Sequence, residues 1–234
     1  MNGGKGMNYL ILNGLKSTFL QGLLISSLPP ISKPLMRTQR DEIDGRDGDI
    51  VTKLGYSAYD KTVTIGLHGN FDIDAILAYF EGEGEVIFSN EPDKYYRYQI
   101  LEQIDYERLI RFRTAEVTFH IQPFKYSAID SAVDISQNPQ RIINMGNTIA
   151  RPKLTIYGAG YITLYINGYQ TVTANVSDHI TIDAEALEAS KDGVLKNRDV
   201  TGNYDTIYLN SGVNTIGWSG NVSHIEIENY SRWI

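Results

Sequence analysis

The sequence contains no cysteine among its 234 residues. Without cysteine the chain has no disulfide framework, no thiolate nucleophile and no cysteine-ligated metal site. Basic runs are also missing, and the formal net charge is −7 at pH 7, with a pI near 5.1. Because phosphate recognition needs clustered lysine and arginine, this charge balance argues against a nucleic-acid-binding protein.

Uninterrupted apolar runs are short as well. The stretch FLQGLLISSLPP at 19–30 is broken by Gln21 and Gly22 and stopped by two prolines. It falls well below the roughly 20 apolar residues that a membrane-spanning helix needs. The first six residues, MNGGKG, are predicted to be a flexible leader, with Met7 as the natural start, and MNYLILNGL is not expected to act as an export signal, because it has no basic leader and too short an apolar run.

An alternation of apolar and polar residues dominates the chain and predicts half-buried antiparallel strands. It is clear in TVTIGL at 62–67, in EVTFHI at 116–121 and in YITLYI at 161–166. Asn167 and Gly168 follow the last of these segments and precede another alternating run. This pair predicts a tight hairpin turn, because such a turn needs positive φ at both central residues.

One amphipathic helix is predicted among the strands, in DIDAILAYF at 72–80. Asn70 or Asp72 is expected to cap its start, and Gly82 is expected to end it. Its apolar stripe consists of Ile73, Ile76, Leu77 and Phe80. A second, weaker helical pattern is DAEALEAS at 183–190.

These patterns predict a mainly β protein with one amphipathic helix and two domains. A Ser-, Asn-, Gly- and Pro-rich stretch between about 128 and 150 separates a charged first half from a second half of short strands. The N-terminal β-domain is expected over 7–138 and a C-terminal β-sandwich over 139–234. The final strand, SHIEIENY at 223–230, is compatible with either domain.

Residues with catalytic or metal-binding potential form no recognisable site. The four histidines lie far apart in the sequence, and no nucleophile or phosphate-loop motif is present. A glycosidase needs two carboxyl groups with different pKa values, and no local signature selects such a pair. The acidic residues available are Glu102, Asp105, Glu107, Asp183 and Glu185. We therefore expect no enzyme, no cofactor and no metal.

The segment DEIDGRDGDIV at 41–51 crowds charges and glycines together. A catalytic carboxylate cluster, a cation loop and an assembly hairpin would each give such a pattern. It fails the calcium-loop template, because Arg46 and Gly48 fall where ligands belong and no terminal glutamate follows. A solvated or interface turn is the prediction.

Aromatic residues leave a binding function open. Trp218 lies in NTIGWSG, a segment rich in glycine, serine and asparagine. An exposed indole there, together with Tyr161, could stack on a sugar ring, whereas the structural alternative is a partly buried tryptophan in the core. An exposed indole would indicate a carbohydrate-binding module.

Six stretches, taken in order, resemble the distal tail protein (Dit) family of bacteriophages with long, non-contractile tails. They are RDEIDGRDGDIV, FDIDAILAYFEGEGEVIFSNEPDKYYRYQI, RFRTAEVTFHIQPFKY, INMGNTIARPKLTIYGAGYITLYING, LNSGVNTIGW and IEIENYSRWI. Their order and spacing carry the resemblance, which runs over nearly the whole chain from Met7.

The resemblance implies a structural protein of the virion, located at the phage tail tip and assembled in the bacterial host cytoplasm. The N-terminal domain would form a homohexameric ring, and the C-terminal domain would be a galectin-like β-sandwich. The ring would join the tail tube protein to the tail-associated protein and carry receptor-binding proteins. The alternative function is an adhesion module whose C-terminal sandwich binds host cell-wall glycan through Trp218 and Tyr161.

The resemblance also assigns roles within 41–51, which would be a tight connection between strands of the ring-forming domain. Gly45 and Gly48 are expected to take positive φ, and Asp44 and Asp47 to cap backbone N–H groups. Arg40 and Arg46 are expected to meet carboxylates, either within the domain or on the adjacent subunit.

Overall fold

The computed structural model describes residues 7–228 and 230–234, so the predicted leader at 1–6 lies outside the described residues. The chain divides into two compact units, the first ending at Ala128 and the second covering Ile129–Trp233. This division falls earlier than the boundary predicted at residue 138. Strand β10 (Val133–Ile135) explains the difference, because it pairs with a strand of the second unit.

The first unit is built mainly from strands. They are β1 (Leu10–Leu12), β2 (Leu15–Lys16), β3 (Leu23–Ser27), β4 (Met36–Glu42), β5 (Asp49–Tyr56), β6 (Tyr59–Leu67), β7 (Glu83–Phe88), β8 (Lys94–Gln99) and β9 (Thr114–Ser127), with helices α1 (Ile73–Tyr79) and α2 (Tyr106–Phe112). Within the described residues, seven strands of the first unit follow one another in an antiparallel sheet in the order β2-β1-β7-β8-β9-β6-β3. Strands β4 and β5 pair only with each other.

The core of the first unit follows the alternation that the sequence predicts. In the paired strands β6 and β9, Val63 lies opposite Val117, and both are fully buried together with Ile65 and Phe119. Helix α1 begins after Asp72, whose side chain accepts a 3.1 Å hydrogen bond from the N–H of Ala75. It buries Ile76 and Tyr79, so the amphipathic prediction is confirmed for this helix.

The second unit contains strands throughout. They are β10, β11 (Gln140–Asn144), β12 (Lys153–Ile166), β13 (Tyr169–Asp183), β14 (Glu188–Lys191), β15 (Val194–Leu195), β16 (Val200–Gly202), β17 (Gly212–Glu228) and β18 (Arg232–Trp233). The main path is β10-β17-β12-β13-β14-β15, with β11 on β17 and β16 on β13. The strand containing most of SHIEIENY, β17, therefore belongs to the second unit.

The long strands of the second unit bend, so that one sheet folds over a single core. Register shifts interrupt the pairing of β12 with β17 after Tyr157 and after Ala159. Residues from both sides of this interruption, such as Ile156 and Ile162, belong to the same buried cluster. Gly158 permits the bend, because a Cβ at this position would lie 2.2 Å from the carbonyl oxygen of Asn221.

The turn between β12 and β13 has the predicted conformation, with φ of +53° at Asn167 and +82° at Gly168. The weaker helical prediction at 183–190 is wrong. This segment forms a turn between β13 and β14, in which Asp183 accepts hydrogen bonds from two following N–H groups and Leu187 has positive φ. Helix α2 was not predicted. None of the helices among residues 7–228 and 230–234 is long and apolar enough to cross a membrane.

Candidate assembly site

The charged segment at 41–51 forms the tip of a β-hairpin, which we call the hairpin arm (residues 36–56). The arm pairs β4 with β5 from Met36 opposite Tyr56 to Glu42 opposite Asp49. Gly45 and Gly48 take φ of +80° and +78°, as the resemblance implies. A backbone hydrogen bond of 3.1 Å from the N–H of Arg46 to the carbonyl of Ile43 closes the turn.

Both faces of the hairpin arm are exposed. Between Met36 and Tyr56, every residue of β4 and β5 is classed as exposed, and Val51 retains 50% of its surface. Other large apolar side chains left open on the arm and beside it are Leu35, Ile43, Ile50 and Leu54. A two-stranded hairpin on its own is at best marginally stable in water, and an open strand edge is a template for pairing with another chain.

The charged residues of the arm are mostly unpaired. Arg40 approaches Asp49 at 3.7 Å across the hairpin, in an exposed ion pair. Among the residues that the structure describes, the side chains of Asp44, Arg46 and Asp47 form neither an ion pair nor a hydrogen bond. The predicted capping by Asp44 and Asp47 is therefore wrong, since the backbone closes the turn by itself. These side chains point to solvent and are available to another molecule.

The base of the arm, in contrast, is anchored firmly to the first unit. The N–H of Ser57 donates a 2.9 Å hydrogen bond to the carbonyl of Leu35, and Tyr56 packs edge-on against Phe124. Upstream, the carbonyl of Pro29 accepts from Asn90 at 2.9 Å, and the carbonyl of Pro30 accepts from Lys61 at 2.6 Å. The chain entering the arm is therefore held at several points by hydrogen bonds.

Lys61 belongs to a buried charged cluster, formed by Lys61, Glu91, Tyr96 and Lys125. The ammonium of Lys125 contacts one carboxylate oxygen of Glu91 at 2.7 Å, and the hydroxyl of Tyr96 donates to the other. Only 3% of Lys61 is exposed. Burial lowers the pKa of Lys61 to about 8, and Glu91 opposes this shift. Burial and the hydrogen bond to Glu91 raise the pKa of Tyr96.

The alternation of β6 contains a sequence signal for this cluster. Lys61 precedes Val63 and Ile65 at the same parity of the β6 alternation, so it occupies an inward position. A lysine in an inward row must find a partner or shift its pKa, and Lys61 does both. Its partner, the carbonyl of Pro30, lies in the segment that leads into the arm.

The predicted glycan contacts lie in the second unit. Trp218 is part of β17, opposite Leu164, and its side chain packs against the core, as in the structural alternative. Tyr161 is 77% exposed. Within the described residues no ring contact joins the two side chains. A sugar-binding role for this pair stays a prediction.

Two of the acidic residues considered for catalysis make local structural contacts. Asp105 caps helix α2 by accepting from the N–H of Arg108 at 2.8 Å. Glu185 approaches Arg232 at 3.7 Å. Across residues 7–228 and 230–234, no group of three or more histidine, cysteine or acidic side chains is arranged to hold a metal ion.

The chain is similar to known proteins in its structure but not in its sequence. No protein-family model matches the sequence, and no curated protein matches it. Among solved structures, the Dit protein of phage SPP1 aligns with a TM-score of 0.66 and 13% identity, over 97% of this chain and 99% of that chain. The chain has the Dit fold.

A second structure supports the same conclusion. The baseplate of phage P2, in its activated conformation with calcium, contains a chain that aligns with a TM-score of 0.52 and 10% identity. The alignment covers 97% of this chain and 98% of that chain. The SPP1 Dit protein is described as a paradigm of the hub adsorption apparatus in phages that infect Gram-positive bacteria. The mainly β fold expected from the resemblance is thus confirmed over nearly the full length.

Proposed function

We propose that this chain is a structural protein of a phage tail tip, which closes into a homohexameric ring through its first unit. In the virion the ring joins the tail tube protein to the tail-associated protein and carries receptor-binding proteins at its periphery. Assembly takes place in the cytoplasm of the bacterial host. The chain performs no catalysis in this role and needs no cofactor.

The exposed hairpin arm is the observation that supports this proposal most directly. A hairpin with apolar side chains on open faces gains stability only when another surface covers it, because burial of apolar area is the main favourable contribution. The fold is shared with a protein of a phage hub adsorption apparatus and with a chain of a phage baseplate, which are multi-component assemblies. A second copy of this chain is therefore the partner we assign to the arm.

A ring needs a heterologous interface, in which one surface of each copy docks on a different surface of the next. The arm suits this geometry, because it extends from one anchored base and leaves both strand edges open. The anchoring of its base by Lys61 and Asn90 limits the freedom that assembly would otherwise have to remove. The unpaired Asp44, Arg46 and Asp47 at the tip supply charges that can set the register of docking.

The molar mass of the purified protein tests the proposal. Light scattering should give about 158 kDa, since one chain has a mass of 26.3 kDa and the ring has six. In a shortened variant, an Asn-Gly turn replaces the residues between Arg37 and Gly55. The variant lacks most of the arm but keeps the strand pair Arg37–Gly55 in its native register. This variant should remain folded by circular dichroism and run as a single chain.

A matched control removes exposed apolar residues elsewhere. Val194→Thr with Leu195→Thr alters two side chains of the second unit that are each 61% exposed. This control should keep the mass of the ring. A wild-type protein that stays monomeric at high concentration, also with its tail components present, would overturn the ring, and a ring formed by the shortened variant would exclude the arm as its interface.

A further inference from the structure

A groove at one end of the second unit has walls formed by the β12–β13 turn and by the loop at 203–211. Its volume is about 390 Å³, and its lining includes Tyr169, Gln170, Thr206, Tyr208 and Asn210. Small-ligand sites commonly span about 300–1,000 Å³, so the groove has the size of such a site. It belongs to the second unit, whereas the hairpin arm belongs to the first.

One buried residue, Asn214, connects both walls of the groove. Only 1% of it is exposed. Its side-chain oxygen accepts from the side-chain amide of Asn167 in the turn and from the N–H of Asn210 in the loop, both at 2.9 Å. Its side-chain nitrogen donates to the carbonyl of Asn210 at 2.7 Å. A satisfied buried amide rigidifies what it connects, so the groove is preformed.

The rim of the groove, unlike its base, carries polar groups that are not used within the chain. Tyr169 is 77% exposed and Tyr208 is 37% exposed. In the part of the chain that the structure describes, the hydroxyls of both tyrosines and the side-chain amides of Gln170 and Asn210 have no hydrogen-bond partner. Two aromatic faces and two amides therefore converge on one preformed space.

The chemistry of the lining selects the ligand class. The groove is lined by no aspartate, glutamate, lysine or arginine, so a charged ligand would find no countercharge. An amide side chain offers a donor and an acceptor side by side, which matches two neighbouring hydroxyl groups. A tyrosine ring offers an apolar face for the C–H groups of a sugar ring while its hydroxyl stays hydrated.

A second groove in the same unit shows the contrast. It is lined by charged residues that include His179, Lys191 and Asp192. His179 contacts Asp178 at 2.9 Å and Asp192 at 3.4 Å, and Lys191 approaches Asp178 at 3.8 Å. These groups satisfy one another, whereas the amides at the Tyr169 groove do not.

We propose that the groove between Tyr169 and Tyr208 binds a neutral saccharide, with the tyrosine rings as stacking surfaces and Gln170 and Asn210 as hydroxyl-binding amides. This proposal does not depend on ring formation.

Saturation-transfer difference NMR on the full chain tests the proposal. The probes are glucose, galactose, rhamnose, N-acetylglucosamine and N-acetylgalactosamine, each as the free sugar. At least one should receive saturation, and calorimetry should show that Tyr169→Ala and Tyr208→Ala each weaken its binding about tenfold or more. Gln170→Ala should weaken binding while leaving the aromatic contacts in place.

Val194→Ala is the control, because Val194 is an exposed residue of the second unit that lies outside this groove. It should leave sugar binding unchanged. The proposal is overturned if no probe binds, or if Tyr161→Ala abolishes binding and Tyr169→Ala does not. It is also overturned if Tyr169→Ala impairs only the binding of another tail protein. Light scattering on the same samples reports ring formation separately.

Discussion

Two hairpins of this molecule have glycine-containing turns but opposite surroundings. In the β12–β13 hairpin, inward residues such as Ile162, Leu164 and Val172 are at most 1% exposed, because the rest of the second unit covers them. In the hairpin arm β4 is mostly polar, the apolar residues of β5 do not alternate regularly, and Val51 remains half exposed. The chain covers the strands of the first hairpin, whereas the strands of the hairpin arm stay exposed.

This difference shows that turn glycines such as Gly48 and Gly168 predict a hairpin but not what covers its strands. A strand pair gains most of its stability from the side chains packed on its face, and the partner surface can come from the same chain or from another. The arm also contains more charge at its tip than the β12–β13 turn, where the side chain of Asn167 is hydrogen-bonded to β17. Unpaired charges and exposed apolar side chains together distinguish the hairpin arm from the β12–β13 hairpin.

The largest change in unfolding free energy is expected when an aspartate is placed in each of the two hairpins. Val172→Asp buries a carboxylate without a partner, so the second unit should lose roughly 4 kcal/mol or more of unfolding free energy. Val51→Asp places a carboxylate in solvent, so the unfolding free energy of the monomer should change by no more than about 0.5 kcal/mol. Val51→Asp should instead abolish the ring.

Urea denaturation followed by circular dichroism, together with light scattering, measures both effects. The prediction fails if Val51→Asp unfolds the monomer, because the arm would then be covered within its own chain. It also fails if Val51→Asp leaves a stable ring.

An intermediate effect is expected at the base of the arm, where pH changes the charge of Lys61. Because the pKa of Lys61 is about 8 in the folded chain and 10.5 ordinarily, the unfolded chain binds more protons in between. Unfolding free energy should therefore rise from about pH 8 towards pH 10, by on the order of 1–3 kcal/mol. Above pH 10 it should fall, because Tyr79 and Tyr96 have raised pKa values and ionise more readily when unfolded.

Lys61→Met separates these two contributions. The variant should lose the rise between pH 8 and pH 10 and keep the fall above pH 10, which urea denaturation across the pH range would show. An unchanged rise in the variant would assign it to another group. The carbonyl of Pro30 also loses its donor in this variant, so the arm should become more accessible to proteases.

Much of the fold could be predicted from local patterns, and the exceptions have physical reasons. The strands around Val63 and Val117 and the turn at Asn167 follow from alternation and turn chemistry, which act over a few residues. The segment at 183–190 has a helical pattern, but Asp183 and the pairing of β13 with β14 override it. Trp218 lies in a loop-like composition, and only its long-range pairing with Leu164 makes it a strand residue.

The residues of the candidate assembly site could be predicted from the sequence, but the contacts that surround them could not. The charges of 41–51 mark the tip of the arm, whereas the contact between Lys61 and Pro30 depends on a fold that brings distant residues together. The saccharide groove was missed for the same reason. Asn214 joins a turn and a loop that are separated along the chain, and no local pattern indicates that they meet.

The smallest effect is expected for a single charge at the tip of the arm. Arg46 forms no ion pair within the described residues, so Arg46→Glu should leave the fold and the unfolding free energy of the monomer unchanged. If Arg46 meets a carboxylate of the adjacent subunit, the charge reversal should weaken ring assembly about tenfold. High salt should reduce this difference, because exposed ion pairs are screened.

Arg198→Glu makes the same change on an exposed turn of the second unit and should have no effect on assembly. Light scattering over a dilution series compares the three proteins. Equal assembly of all three would place Arg46 outside the interface, and the arm would then dock through its apolar faces alone.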